Sequence, residues 1–381
     1  MSEITTLRAA ETATEPTGIF PSQDLAEMVS AGAISASQPI GDDMVQPASV
    51  DLRLGEYALR VQASFLPGRG RTVEERVRAF EMHRIDLTRG AVLEKGCVYI
   101  VPLLESVHLP HDVSAFANPK SSTGRLDVFT RVIADGATRF DLVRRGYSGP
   151  LYAEVSPKTF SIAVRTGTRL SQLRLRRGVS EVDPHDLLAL HDDHGLIDTP
   201  VDRGEVVEHR SLSLRLDLSG EGADGIVGWR ARHHAGVVDV DRPNHYDPAD
   251  FWEPVMARNG GIILNPDDFY ILATREAVTV PPDYAAEMVA YDTLVGEFRV
   301  HYAGFFDPGF GWEPDRKDAG SRGVLEVRSH DVPFLLEHEQ IIGRLRYERL
   351  TARPAKIYGA GIGSHYQGQG LKLAKQFRAP R

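Results

Sequence analysis

One segment of the sequence has residue types suited to binding a phosphate-bearing ligand. It reads Asn118-Pro-Lys-Ser-Ser-Thr-Gly-Arg125. Its cations supply charge, and its hydroxyls and backbone N–H groups supply hydrogen-bond donors, a combination typical of anion sites. We call residues 120–125 the cradle; its members are Lys120, Ser121, Ser122, Thr123, Gly124 and Arg125. An exposed polar loop would have the same composition, so a purely structural role for this segment stays open.

A carboxyl group follows the cradle at a position where it can act as an acid or a base. Glu154 lies in Tyr-Ala-Glu-Val, residues 152–155, a run of β-type residues. Burial beside apolar neighbours on a strand would raise its pKa, as general acid–base catalysis at neutral pH requires. A glutamate that faces solvent from the same strand is the alternative. Between the cradle and Glu154 the chain runs through Ala137-Thr-Arg-Phe-Asp141.

The cradle and Glu154 must be positioned by short segments in which apolar and polar residues alternate. Gly, Pro and Asp separate these segments. Examples are residues 49–54, 97–101, 160–164 and 169–175. This pattern predicts a mainly β fold, either an antiparallel sandwich or a barrel. One short N-terminal helix is predicted before the strands, over residues 21–34, with Ser22 as its cap and Gly32 as its end.

The chain repeats itself at a spacing of 171 or 172 residues. Corresponding residues are Tyr99 and Tyr270, Pro110 and Pro281, and Glu154 and Glu326. Matching offsets over such a length predict two tandem copies of one β-rich domain. The predicted organisation is a flexible arm at 1–20, a first domain at 21–182, a linker at 183–207, a second domain at 208–350 and a C-terminal tail at 351–381.

The composition excludes several classes of protein. Lys and Arg number 44 against 53 Asp and Glu, and the resulting net charge of −9 argues against a non-specific nucleic-acid binder. Cys97 is the only cysteine, which excludes an internal disulfide, a cysteine-rich zinc site and an iron–sulfur cluster. No apolar stretch reaches about 18 residues, and the N-terminus lacks an apolar signal core. We therefore expect a cytoplasmic protein with no membrane or nucleic-acid partner.

Four motifs resemble those of bacterial dCTP deaminases, which belong to the trimeric dUTPase-like superfamily. They are QPASVDLRLG at 46–55, KSSTGRLDVF at 120–129, GYSGPLYAEV at 146–155 and IYGAGIGSHYQGQG at 357–370. They occur in the family's order. The resemblance implies two tandem dUTPase-like (β-clip) domains, each a distorted β-barrel or jelly roll. It also implies hydrolytic deamination of dCTP to dUTP and ammonia in the synthesis of thymidylate precursors.

The resemblance further implies a role for each site residue. Glu154 matches the catalytic Glu that activates water for attack on C4 of cytosine, with Ser121 and Arg125 beside the reacting centre. The backbone carbonyl of Ala137 would receive the amino group, and Asp141 would contact the deoxyribose. The remaining substrate-binding positions are Lys120, Ser122, Thr123, Gly124, Tyr152, Ala153, Tyr358, His365 and Gln369.

The chemistry implied by this resemblance needs no protein-bound zinc. One cysteine cannot build the zinc site of most nucleobase deaminases, so a metal-free, Glu-activated water is expected. Mg²⁺ would arrive with the triphosphate, whose adjacent negative charges bind it. The expected partners are dCTP and dUTP, dTTP as a candidate inhibitor, and further copies of the chain in a trimer-based or pseudo-trimeric homo-oligomer. The alternatives are a dUTP diphosphatase, a bifunctional enzyme, or a nucleotide-binding protein without catalytic activity.

The second copy departs from this pattern at its cradle. It keeps Asp307 and Glu326, but the segment that corresponds to the cradle reads Tyr291-Asp-Thr-Leu-Val-Gly-Glu297. Acidic residues there would repel phosphates, and no arginine takes the place of Arg125. Two interpretations stay open. Either the second copy is only structural, or Glu326 completes a composite site against the cradle of another copy.

Overall fold

The structure is a computed structural model, and it describes residues 15–221, 224–290, 298–301, 304–314, 316, 319–329, 331–359, 368 and 370–379. It is mainly β, as predicted. Within the described residues, no helix is long and apolar enough to cross a membrane. His365, Gln369 and the second copy's cradle segment, 291–297, lie outside the described residues.

The first half of the chain contains strands β1 to β13. Their bounds are β1 Gly18–Ile19, β2 Ile34–Ala36, β3 Val50–Arg53, β4 Tyr57–Val61, β5 Glu81–Asp86, β6 Ala91–Leu93, β7 Val98–His108, β8 Val113–Pro119, β9 Val128–Ala134, β10 Leu142–Val143, β11 Ser148–Pro157, β12 Ile162–Val164 and β13 Arg169–Arg177. One sheet has the order β5-β4-β7-β11-β9, and a second contains β3-β13-β8-β10. The second sheet leads into the cradle, and the first carries Glu154.

The second half contains strands β14 to β25. Their bounds are β14 Leu212–Arg215, β15 Ile226–Ala231, β16 Val238–Asp239, β17 Trp252–Met256, β18 Gly261–Leu264, β19 Phe269–Val278, β20 Tyr284–Ala290, β21 Phe298–His301, β22 Phe305–Phe306, β23 Ser321–Ser329, β24 Phe334–Glu337 and β25 Ile341–Arg349. The sheet orders β17-β15-β19-β23-β21 and β14-β25-β20-β22 repeat those of the first half strand for strand. This correspondence confirms the predicted duplication.

A buried ion pair is also duplicated. Glu105 accepts hydrogen bonds from the backbone N–H and the Nε of Arg53, both at 2.7 Å. Glu276 accepts the same two bonds from Arg215, at 2.7 and 2.8 Å. Because each carboxylate is 0 % exposed, it needs this paired arginine to offset the cost of burying a charge. The two copies therefore share side-chain architecture as well as strand order.

The two halves are interlocked within one chain. Strand β16, from the second half, pairs in parallel with β12 of the first half. Phe160 packs edge-on against Phe251 and Trp252, with ring centroids 5.6 and 5.4 Å apart. Phe377, near the C-terminus, packs against the same Phe251 and Trp252 rings. This shared core holds one half against the other and thereby sets which surfaces meet at the cradle.

The helices are short, and they correct two of the sequence predictions. They are α1 Ser22–Ser30, α2 Val73–Val77, α3 Ser121–Gly124, α4 Pro184–His194 and α5 Arg203–His209, with 3₁₀ turns at Asp42–Met44 and Pro248–Asp250. Helix α1 confirms the predicted N-terminal helix, although Pro21 and not Ser22 occupies its N-cap. The predicted linker is more structured than its turn-rich sequence indicates, because α4 and α5 fold there and Leu187 and Val206 are buried in the second core.

The predicted N-terminal arm is also partly wrong. Residues 1–14 lie outside the described part of the chain, but residues 18 and 19 form strand β1 against β13. Ile19 and Phe20 are buried, at 1 % and 3 % exposure. Their apolar side chains make the end of the arm part of the folded core.

Candidate functional site

The cradle is a compact turn between two strands. Strand β8 is followed directly by the single-turn helix α3, and the N–H of Arg125 donates to the carbonyl of Ser121 at 3.0 Å. The hydroxyl of Thr123 donates to the carbonyl of Leu170 at 2.9 Å, which ties α3 to β13 and uses that donor internally. Ser121 is exposed; the buried members are Ser122, Thr123, Gly124 and Arg125.

A cavity of about 450 Å³ lies against the cradle. Lys120, Ser122, Arg169 and Lys375 are among the residues that line it. Burial, with the nearby positive charge of Lys120, lowers the pKa of Lys375. Asp51 forms an ion pair with Lys120. The lining also contains Asp43, Asp51 and Asp241, and Arg169 pairs with Asp43 at 2.7 Å. The cations, the Ser122 hydroxyl and the aspartates together make this a polar cavity beside the cradle.

Arg125 faces the second half of the same chain. The residue is 3 % exposed, and its Nη1 donates to the carbonyl of Lys372 at 2.9 Å. Near it lies Glu326 of strand β23, which is 4 % exposed. Burial raises the pKa of Glu326 to about 8, against the opposing effect of the positive charge of Arg125, and the negative charge of Asp127 raises it further. The carboxyl group of Glu326 is thus close enough to the cradle to be electrostatically coupled to it.

Asp307 is a second carboxyl group of the second half that lies near the cradle. Its carboxyl group lies 3.4 Å from Arg174 of β13. Burial raises the pKa of Asp307, while the charges of Arg174 and Lys120 act in the opposite direction. The positive charge of Lys120, at the start of the cradle, therefore acts to lower the pKa of Asp307. The positive charge of Arg125, at the end of the cradle, acts to lower the pKa of Glu326. The structure brings together the first copy's cradle with Asp307 and Glu326.

The C-terminal tail connects these two parts of the site. The N–H of Tyr358 donates to the carbonyl of Pro308 at 2.8 Å, next to Asp307. Gly309 adopts a φ of +93°, and a Cβ there would collide with Ile357. Further on, the carbonyl of Lys372 accepts from Arg125, as described above. Described tail residues thus lie beside the turn at Asp307 and at the cradle of the same chain; His365 and Gln369 lie outside the described residues.

Glu154 lies in a separate cluster within the first half. It is 1 % exposed. Its Oε1 accepts hydrogen bonds from Nε and Nη2 of Arg131, at 3.1 and 2.5 Å. The guanidinium of Arg131 lies over the rings of Phe140, at 3.4 Å, and Phe129, at 4.5 Å. Oε2 of Glu154 is buried without a hydrogen-bond partner among the described residues. Among the described residues, Arg131, and no cradle side chain, hydrogen-bonds to the Glu154 carboxylate.

The other first-half candidates surround this cluster. Asp141 accepts a hydrogen bond from the N–H of Val132 at 2.7 Å, and burial raises its pKa to about 7. The carbonyl of Ala137 accepts from the N–H of Gly68 at 3.0 Å. Tyr152 is buried, and its hydroxyl lies 3.4 Å from Glu74. Burial raises the pKa of Tyr152. Ala153 is buried in the core beside Glu154.

The predicted set of site residues is therefore divided between two places. The cradle and Tyr358 lie with Asp307 and Glu326, whereas Glu154 lies with Asp141 and Arg131. Lys375 was missed by sequence reasoning, although the Leu-Lys-Leu-Ala-Lys run after a Gly-rich tail could have suggested a second cationic segment. The partnership of Arg131 with Glu154 had no sequence signal, because it depends on the register between β9 and β11.

Metal-binding side chains do not assemble in the described part of the chain. No group of three or more His, Cys, Asp or Glu residues there could hold a metal ion. The cradle region instead offers cations and hydroxyls, which bind anions directly. The arrangement can hold a phosphorylated ligand beside a buried carboxyl group whose pKa favours a protonated form at neutral pH.

Comparisons with known proteins agree with this geometry. Residues 16–179 match the family described as "2'-deoxycytidine 5'-triphosphate deaminase (DCD) N-terminal domain". Residues 183–377 match the C-terminal domain of the same family. A crystal structure of 2'-deoxycytidine 5'-triphosphate deaminase from Agrobacterium tumefaciens is 53% identical and superposes with a TM-score of 0.83. That similarity covers 88% of this chain and 99% of the other.

Curated relatives include proteins that are shorter than this chain. A "dCTP deaminase, dUMP-forming" from Halobacterium salinarum is 34% identical over 150 residues, which cover 38% of this chain and 72% of that protein. A "dCTP deaminase" from Haloarcula marismortui is 32% identical over 202 residues, which cover 51% of this chain and 94% of that protein.

Proposed function

The chain belongs to the 2'-deoxycytidine 5'-triphosphate deaminase family through both of its halves and is an enzyme that deaminates dCTP, and we propose that the reaction takes place at a composite site within one chain. In this proposal the first half supplies the cradle, and the second half supplies Asp307 and Glu326. The observation that carries the proposal is that Glu326 of the second half and Arg125 of the cradle are both buried, at 4 % and 3 % exposure, near enough for their charges to interact.

In the proposed reaction, water replaces the amino group of cytosine. Glu326 takes a proton from water as its oxygen attacks C4, and the carboxylic acid then protonates N3 of the ring. Glu326 then takes the proton of the new C4 hydroxyl and passes it to the amino group. The C4–N4 bond breaks, C4 becomes a carbonyl carbon, and ammonia leaves. The products are dUTP and ammonia, so atoms and charge balance. Arg125, which offsets the charge of ionised Glu326, would hold the carboxylate beside the reacting centre.

The cradle and the second-half aspartate are assigned to the rest of the nucleotide. Lys120, Ser122 and the cavity that contains Lys375 would hold the phosphates, with Ser121 exposed toward the base. Asp307 would contact the deoxyribose, the role that the sequence analysis gave to Asp141. Tyr358 joins these groups from the tail. Ala303, the second-half counterpart of Ala137, lies outside the described residues, so its carbonyl is not assigned a contact.

Glu326 is favoured over Glu154 as the catalytic carboxyl group for two reasons. First, Glu326 lies near Arg125 of an intact cradle. Second, Oε1 of Glu154 already accepts hydrogen bonds from Nε and Nη2 of Arg131, at 3.1 and 2.5 Å.

A catalytic role for Glu154 is the second candidate, and one observation favours it. Its Oε2 is buried and has no partner among the described residues, which is unusual for a carboxylate and typical of a position that a ligand completes. A site there would need the cradle of a second chain, because the first-half cradle of its own chain faces Glu326. The predicted homo-oligomer, trimer-based or pseudo-trimeric, therefore stays a proposal that this alternative requires.

The cofactor and compartment predictions are also part of the proposal. The single Cys97 supports a mechanism without protein-bound zinc, since the zinc deaminases need several thiolate or imidazole ligands. Mg²⁺ would enter as part of the substrate, bound by its phosphate oxygens. The cytoplasm stays the predicted compartment, and inhibition by dTTP stays a prediction.

The reaction assignment is tested by measuring ammonia and pyrophosphate separately. We expect dCTP to yield one ammonia per substrate consumed. The alternative function, in which the enzyme is bifunctional, has support from the relative named as dUMP-forming; pyrophosphate released together with ammonia from dCTP would identify it. Pyrophosphate from dUTP, without ammonia from dCTP, would contradict the deaminase assignment.

The pH dependence of kcat/KM is a further prediction. Glu326 must be ionised to take a proton from water, and burial raises its pKa to about 8. The rate should therefore fall about tenfold for each pH unit below that value and level off above it. Stopped assays of dCTP deamination between pH 5.5 and 9.5 would measure this acidic limb of the pH–rate profile. A limb near the ordinary pKa of a glutamate would exclude Glu326 as the base. Glu154→Gln is the control variant and should leave the profile unchanged.

A further inference from the structure

A second cavity, of about 570 Å³, lies between the two halves and shares no lining residue with the cavity beside the cradle. Its walls include two aromatic residues, Phe129 from β9 and Phe269 from β19. Arg328 and Asp127 also line it. The proposed reaction uses none of these four residues.

The other charged or titratable residues of this cavity are Lys95, Lys158, Arg232, His233, Asp267 and Asp268. Lys95 and Lys158 are exposed, and neither ammonium group has a carboxylate within 4.0 Å among the described residues. Arg232, also at the cavity, is paired with Glu253 at 2.9 Å. His233 contacts Asp268 at 2.8 Å. The two lysines are therefore the lysine or arginine side chains of this lining that have no carboxylate partner among the described residues, although Asp267 also lines the cavity.

We propose that this cavity is a second ligand site, which binds a phosphate-bearing anion of nucleotide size. Cavities of about 300–1,000 Å³ are typical of small-molecule sites. The lysines and Arg328 would contact the phosphates. Phe129 would provide an apolar wall for the remainder of the ligand.

Two residues that line this cavity, Arg328 and Asp127, link it to the composite site. Arg328 forms an ion pair with Asp127, and its Nη2 also donates to the hydroxyl of Thr159 at 2.9 Å. Thr159 in turn donates to Asp127 at 2.6 Å. Asp127 lies two residues after Arg125, and Arg328 lies two residues after Glu326 on the same face of β23. One cross-half ion pair thus separates the cavity from the proposed catalytic pair.

Occupancy should slow deamination through this ion pair. A phosphate that binds Arg328 competes with Asp127 for the guanidinium. The carboxylate of Asp127 would then be less neutralised beside Glu326, and its negative charge would disfavour ionisation of the base. This consequence rests on the proposed function of Glu326, whereas binding in the cavity does not. The ligand should lower kcat and leave KM for dCTP nearly unchanged.

Binding is tested by calorimetry with ATP, which has a triphosphate and a ring but no cytosine. The full chain would be saturated with dUTP to occupy the cradle. We expect one equivalent of ATP to bind per chain, and the double variant Lys95→Ala, Lys158→Ala to bind it at least about tenfold more weakly. The matched control, Arg84→Ala with Arg89→Ala, removes two exposed cations elsewhere and should bind ATP as the wild type does.

The outcomes separate binding from coupling. Absence of ATP binding beside dUTP, or equal binding by the lysine variant, would overturn the site. ATP binding without a fall in kcat would overturn the coupling and leave the site. The lysine variant should keep the wild-type kcat in the absence of ATP and lose any inhibition by it. If Glu326→Gln retains activity while ATP binding depends on the lysines, the proposed base is wrong and the second site is supported.

Discussion

Glu326→Gln should lower kcat for dCTP deamination by about 10²–10⁴-fold, the usual contribution of a general acid–base group. Gln has nearly the same shape and can occupy the same buried position, but it cannot take a proton from water. KM should change little, because the cradle and its cations stay in place. Ammonia release under saturating dCTP measures this directly.

Glu154→Gln is the matched control for that variant. Both residues are buried glutamates on corresponding strands, β11 and β23. We expect Glu154→Gln to retain kcat within about threefold. The reverse pattern, with Glu154→Gln inactive and Glu326→Gln active, would move catalysis to the first half and to a cradle supplied by another chain. Similar losses in both variants would mean that two sites depend on each other.

Arg125→Ala should lower kcat/KM about 30- to 1,000-fold, which corresponds to a loss of about 2–4 kcal/mol of transition-state stabilisation. The reason is that a buried guanidinium makes charge-assisted hydrogen bonds in a closed site. The substitution would also leave Glu326 without its opposing charge, so the pKa of Glu326 should rise further and activity should need a higher pH. Steady-state kinetics at pH 7 and pH 9 would measure both effects. A wild-type rate would remove Arg125 from the site.

Two further variants make the Arg125 result specific. Arg125→Lys keeps the charge but lacks the planar fork of donors, so it should recover only part of the loss. Arg131→Ala removes the arginine that binds Glu154 and should leave dCTP turnover nearly unchanged if the composite site is correct. Circular dichroism would verify that both variants are folded. A loss for Arg131→Ala as large as that for Arg125→Ala would favour the Glu154 cluster.

The duplicated architecture could be predicted from the sequence because its signals are local and occur twice. Tyr99 and Tyr270 lie at corresponding positions, and each hydroxyl accepts a backbone N–H five residues earlier, from Glu94 and Asn265. The alternation of apolar and polar residues in strands and the turn residues between strands depend only on neighbours along the chain. The constant offset between the two copies can be read from the sequence in the same way. The linker has only a short helical signal in its sequence, at residues 186–190, because the packing of Leu187 in the second core, which stabilises α4, is not a local property.

The sequence by itself determined the type of fold, its duplication and the cationic cradle, since strand alternation and an intact Lys-Ser-Ser-Thr-Gly-Arg segment are properties of short stretches. Only the tertiary structure decided which carboxyl group meets that cradle. Arg125 and Glu326 are about two hundred residues apart, and what brings them together is the packing of one half against the other. Both copies retain a buried glutamate on the corresponding strand, so residue type could not distinguish them; the docking of the halves did.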